Sequence, residues 1–120
     1  MNINKDLIKN KLYQSVKNMI QLGWRSGQIK IGYDELEKLS RKGEKGFIII
    51  ASDIAQRTKR HIFKVFNGDC FQLFTKEELG SFLGKKTIGV IFVKENKFGL
   101  KLKNLIKQFL QLEGGSGSCQ

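Results

Sequence analysis

The sequence predicts an α/β fold, a three-layer α/β/α sandwich around a four-stranded mixed sheet. Two observations predict it: stretches with helical apolar spacing alternate with short apolar runs along the chain, and Gly, Asn, Asp or Thr stands at most boundaries between them. At 120 residues the chain has the length of one domain. Residues 1–112 carry the whole alternating pattern, and 113–120, dominated by Gly and Ser, read as an appended flexible tail with nothing to pack.

Ile8, Leu12, Val16, Met19 and Ile20 recur at helical spacing through residues 5–22, which makes the first element an amphipathic helix. Gly23 and Gly27 bracket a break, residues 28–31 alternate like a short strand, and Gly32 ends it. Trp24, inside that break, is expected half buried between the first helix and the sheet, with stacking on a base as the alternative. Residues 33–42 return to helical spacing, with Asp34 and Glu35 in the first turn where the helix dipole favours acids, and Gly43 as the stop.

The unbroken apolar run 47–51 fits a central strand covered on both faces. Ser52 or Asp53 is placed to cap the next helix, in which Ala55, Ile62, Val65 and Phe66 share a face while Arg57, Lys59, Arg60 and Lys64 lie elsewhere. Residues 70–74 form the third strand, and Thr75 with Glu78 makes a capping box for a short helix. After the loop Lys85, Lys86, Thr87 comes strand 88–93, and Asn96 opens a last helix aligning Phe98, Leu102, Leu105, Ile106, Phe109 and Leu110. Crossover helices return the chain in its starting direction, so most strand neighbours are expected parallel.

Twenty-two Lys and Arg face eleven Asp and Glu, a net charge of +11, which favours an anionic partner such as nucleic acid. The first eleven residues are too polar for a secretory signal and no run is long enough to span a membrane, so a cytoplasmic protein without membrane contact is expected. Cys70 and Cys119 are too few for a disulfide framework and lack metal-ligand spacing. Reduced thiols are expected, with Cys70 as a small buried apolar residue and no metal or cofactor bound.

Catalysis finds no constellation. The one histidine, His61, sits in the basic stretch Lys59, Arg60, His61 and reads as a surface helix residue. Glu77 and Glu78 are adjacent and point different ways from a helix, so they cannot face each other across a substrate. Gly80 and Gly84 match neither phosphate-binding glycine spacing. A non-enzyme is the expectation.

The stretch Gly32, Tyr33, Asp34, Glu35, Leu36, Glu37, Lys38, followed by Ile50, Ala51, Ser52, Asp53 and by Leu79, Gly80, Gly84, Lys85, resembles the kink-turn-binding ribosomal protein family of the L-seven-Ae type, its bacterial members most of all. The resemblance implies an α/β/α sandwich and binding of structured RNA, ribosomal RNA among the candidates, by a monomer. The family's signature glycine, amide, glutamate and lysine, which contact tandem G·A pairs, fall on Gly32, Asp34, Glu35 and Lys38. Asp34 replaces the amide, and the loop Lys85, Lys86, Thr87 replaces apolar residues. With the flanking Lys30 and Lys42, these nine positions form the expected RNA-binding face. The alternative on the same fold is a protein-interaction adaptor, whose binding would be insensitive to salt.

Overall fold

The apolar stripe Leu12, Val16, Ile20 folds the start of the chain into α1 (Ile3–Arg25) in the computed structural model, which describes residues 3–114. Val16 and Ile20 are fully buried, but Ile8 is 51% exposed, contrary to its place in the predicted stripe. The reason is length. Twenty-three residues make a helix of about 34 Å, whereas strands of three to five residues span only about 10–17 Å, so the first turns overhang the sheet.

β1 (Ile29–Ile31), α2 (Tyr33–Arg41), β2 (Gly46–Ile50), α3 (Gln56–Val65), β3 (Cys70–Gln72), α4 (Lys76–Phe82), β4 (Val90–Lys94) and α5 (Lys97–Leu112) follow. The four strands form one sheet in the order β1-β4-β2-β3. One face packs Ile29, Ile49, Ile91 and Val93 against α1, α4 and α5 through Val16, Ile20, Leu79, Phe82, Leu102 and Ile106. The other packs Ile48, Ile50, Val90 and Phe92 against α2 and α3 through Leu36, Leu39 and Ile62. This is the predicted three-layer sandwich, and β2 and β4 are central because both of their faces are covered.

The sheet is mixed, but the expected majority of parallel neighbours does not hold. Only β2 and β3 are parallel, while β4 runs antiparallel to both β1 and β2. The seven-residue α4 is too short to carry the chain back across the sheet. Its ends are instead tied near β4's start, where Lys85 N donates to Gly80 O at 2.8 Å and Ile88 N to Lys76 O at 3.0 Å. The chain therefore re-enters at the end where β3 left, and β4 is reversed.

Three local expectations also shift. The third strand stops at Gln72 because Phe74 adopts φ 63, where its carbonyl accepts from Ser52 N at 2.7 Å and its ring packs edge-on to Phe82 at 5.1 Å. Neither Ser52 nor Asp53 caps α3, whose N-cap is Ala55; Asp53 Oδ1 accepts from Lys76 N at 2.8 Å and so serves the start of α4. Cys70 is disulfide-bonded and not a reduced thiol. The predicted tail beyond Gly114 lies outside the described residues.

The capping box at α4 is formed as its sequence implies. Thr75 Oγ1 accepts from Glu78 N at 3.1 Å and Glu78 Oε1 accepts from Thr75 N at 2.9 Å. Glu78 Oε2 also accepts from the Tyr13 hydroxyl at 3.3 Å, and burial together with that carboxylate pushes the Tyr13 phenol above its ordinary range. Thr75→Ala removes one half of this arrangement and should lower stability by about 0.5–2 kcal/mol in urea unfolding. A change within error would show that the helix start is held by packing alone.

Candidate nucleic-acid interface

β1 and β2 end, and β4 begins, at one end of the sheet: Ile31 stands opposite Ile91, and Ile50 opposite Val90. Two successive carbonyls fasten three chain segments there. Gly89 O accepts from Ala51 N at 2.9 Å, and Val90 O accepts from Gly32 N at 3.0 Å. The start of α2, the turn after β2 and the loop before β4 are thereby held side by side by backbone groups alone.

Gly32 is the N-cap of α2 at φ 96, a left-handed region that disfavours any side chain, and no side chain caps the helix. Its first-turn N–H groups and dipole therefore present partial positive charge at this end. Asp34 is exposed in the first turn and Glu35 half-buried beside it. Lys38, exposed, stands one turn on from Asp34 along the same side of the helix.

The loop is set by a close approach at Gly80. A Cβ there would lie 2.7 Å from the carbonyl oxygens of both Lys85 and Lys86, so only glycine lets α4 sit this near the loop. Lys85, Lys86 and Thr87 are all exposed. The Lys85 ammonium stands over the Trp24 ring, 5.9 Å from its centroid. Trp24 itself is 38% exposed and borders the loop, a more open position than the expected one between helix and sheet.

Of the nine positions singled out in the sequence, Gly32 lies at this end with Asp34 and Glu35 in the first turn of α2, Lys38 lies one turn farther along the helix, and Lys85, Lys86 and Thr87 stand in the loop that leads into β4. Lys30 lies on edge strand β1 opposite Phe92, two residues before Gly32. Lys42 does not join them: it is the C-cap of α2, roughly 15 Å along the helix axis from Gly32. Sequence reasoning left out Arg57, an exposed cation in the first turn of α3 at the same sheet end, and Lys59, whose Nζ donates to Gln72 Oε1 at 3.2 Å. Their basic character was visible in the sequence, but placing them needs the strand directions.

Elsewhere, His61 is exposed on α3, and among the described residues no cluster of three His, Cys, Asp or Glu side chains is arranged to hold a metal ion. A cavity of about 720 Å³ lies at the opposite end of the sheet, between Gly46, Phe66, Asn96 and Lys103, away from the α2 start.

No curated protein matches the chain. Among solved structures, a Bacillus halodurans protein of unknown function is similar at 24% identity with a TM-score of 0.60, covering 77% of this chain and 96% of its own. The Giardia lamblia 15.5kD RNA binding protein is similar at 17% identity, also with a TM-score of 0.60, covering 85% of this chain and 90% of its own. Both likenesses are of fold. The model of the Ribosomal protein L7Ae/L30e/S12e/Gadd45 family matches residues 14–101, which run from the middle of α1 into the start of α5 and include both the Gly32 helix start and the 84–87 loop, and the chain belongs to that family.

Proposed function

We propose that the chain is a non-catalytic RNA-binding protein that engages folded RNA, a kink-turn or a related internal loop, at the sheet end where α2 and β4 begin. The observation that carries this reading is the juxtaposition of an uncapped helix start at Gly32 with the cationic loop 84–87 in a member of this family. The Giardia neighbour, by its description an RNA-binding protein, supports it. So does the net charge of +11, which draws the chain to a polyanion.

Each group has a distinct task in this reading. The α2 N–H groups donate to a phosphate, Glu35 takes a hydrogen bond from a base amino group, and Lys38 donates to guanine acceptors. Lys85 and Lys86 contact phosphates and set affinity more than sequence choice. The protein acts as a cytoplasmic monomer on structured RNA, with ribosomal RNA as the first substrate to examine. No helix among the described residues is long and apolar enough to cross a membrane.

The direct test is a titration of a kink-turn RNA against an unstructured single strand of equal length. Tighter binding to the kink-turn is expected, because the end of the sheet presents a fixed surface that reads shape; equal affinities would remove the specificity. Lys85→Ala with Lys86→Ala should weaken binding to all RNAs alike and reduce the slope of log K against log salt by about 1–2. A slope equal to that of the parent would place the phosphate contacts elsewhere.

Asp34 gives the sharper experiment. Asp34→Asn supplies an amide donor and removes a negative charge from the RNA-facing helix start, at a cost of a few tenths of a kcal/mol in lost dipole compensation. A recovered base contact should tighten kink-turn binding about 5- to 100-fold. Removal of charge alone would help every RNA, so a control with the G·A pairs disrupted separates the two effects. Equal gains on both RNAs would mean that this helix start does not read bases.

A further inference from the structure

We infer that Trp24 is a stacking platform for an unpaired nucleobase of the bound RNA, with Lys85 as the cation that trades the indole face for a phosphate. The inference rests on the RNA-binding reading above and names a contact that reading does not include.

The local backbone dictates that the indole faces outward. At the preceding position, Gly23 is buried, and a Cβ there would lie 2.7 Å from both Ile29 Cδ1 and Phe98 Cζ, so the inward slot of this last turn of α1 is filled by neighbours. Trp24, a step of about 100° around the helix, is thereby turned away from that slot. It is the only tryptophan in the chain and is 38% exposed, with the Lys85 ammonium 5.9 Å from its ring centroid.

The surroundings favour a base over an aliphatic protein partner. Lys85 stands over the ring, the next residue of its loop, Lys86, is exposed, and the exposed Arg25 follows Trp24 at the end of α1. An aromatic face with a cation over it matches a ligand that is itself a flat π-system joined to a phosphate. Lys85 is held to α4 through its backbone, Lys85 N donating to Gly80 O at 2.8 Å, which leaves its side chain free to move from ring to phosphate while the loop stays in place.

Because Trp24 is unique, its emission reports the contact directly. Two RNAs are compared: a two-stem RNA whose internal loop carries an unpaired purine, and the same RNA with that nucleotide abasic. Wild-type protein should show Trp24 quenching with the first and little with the second. Trp24→Ala should lose about 5- to 100-fold in affinity for the purine RNA, measured by anisotropy of the labelled RNA, and nothing for the abasic one. Trp24→Phe should retain most of the affinity and guards against loss of folding. Full binding by anisotropy with unchanged emission on the purine RNA, or equal losses for Trp24→Ala on both RNAs, overturns the platform and leaves RNA binding standing. Absence of salt-dependent binding to either RNA overturns both.

Discussion

The direction of β4 is the constraint on which the functional end depends. Had a longer α4 carried the chain back across the sheet, β4 would run parallel to β2 and its preceding loop would open at the end lined by Gly46 and Phe66. The short α4 keeps the chain at the end where β3 left, and the carbonyls of Gly89 and Val90 then meet Ala51 N and Gly32 N. Each of these bonds contributes about 0.5–1.5 kcal/mol. Their larger effect is positional, because they put a helix start and a cationic loop next to one another with no side chain in the joint.

Two glycines make that joint possible for different reasons. Gly32 supplies the positive φ that turns the strand directly into α2, and Gly80 supplies the absence of a Cβ that lets the Lys85 and Lys86 carbonyls come close. The acids at α2 pull in two directions. Asp34 and Glu35 stabilise the helix by about 0.3–1 kcal/mol each through the dipole, and both also oppose an approaching polyanion. Glu35 carries a second capacity as an acceptor from base amino groups. Asp34 stands in the place of an amide and lacks that group's donor, and Lys38, one turn on along α2, supplies opposing charge.

What was legible in the sequence was what depends on near neighbours. The Thr75–Glu78 capping box, the Asn96 cap whose Oδ1 accepts from Gly99 N at 2.9 Å, and the apolar runs of β2 and β4 are all set within a few residues, and the three layers follow from their alternation. What was not legible depends on residues far along the chain. The reversal of β4, the left-handed turn at Phe74, the service of Asp53 to α4 and the overhang that exposes Ile8 each need the strands already assembled. The site divides in the same way: Gly32, Asp34, Glu35 and Lys38 form one local motif, whereas the pairing of Lys85 with Trp24 joins residues that only the fold brings together.

This division separates what builds the site from what gives it a ligand preference. Gly32, Gly80, Gly89 and Val90 act through backbone geometry, so the same helix start and loop are presented whichever side chains the exposed positions carry. Lys38, Lys85, Lys86 and Trp24 stand on the surface, where exchanges usually alter stability by less than about 0.5 kcal/mol. Their identities are therefore nearly free of folding constraints and open to selection for the ligand. A scaffold built in this way can exchange exposed residues without changing its shape, and under the proposed reading its preference among RNAs follows from the charge and aromatic surface that these positions carry.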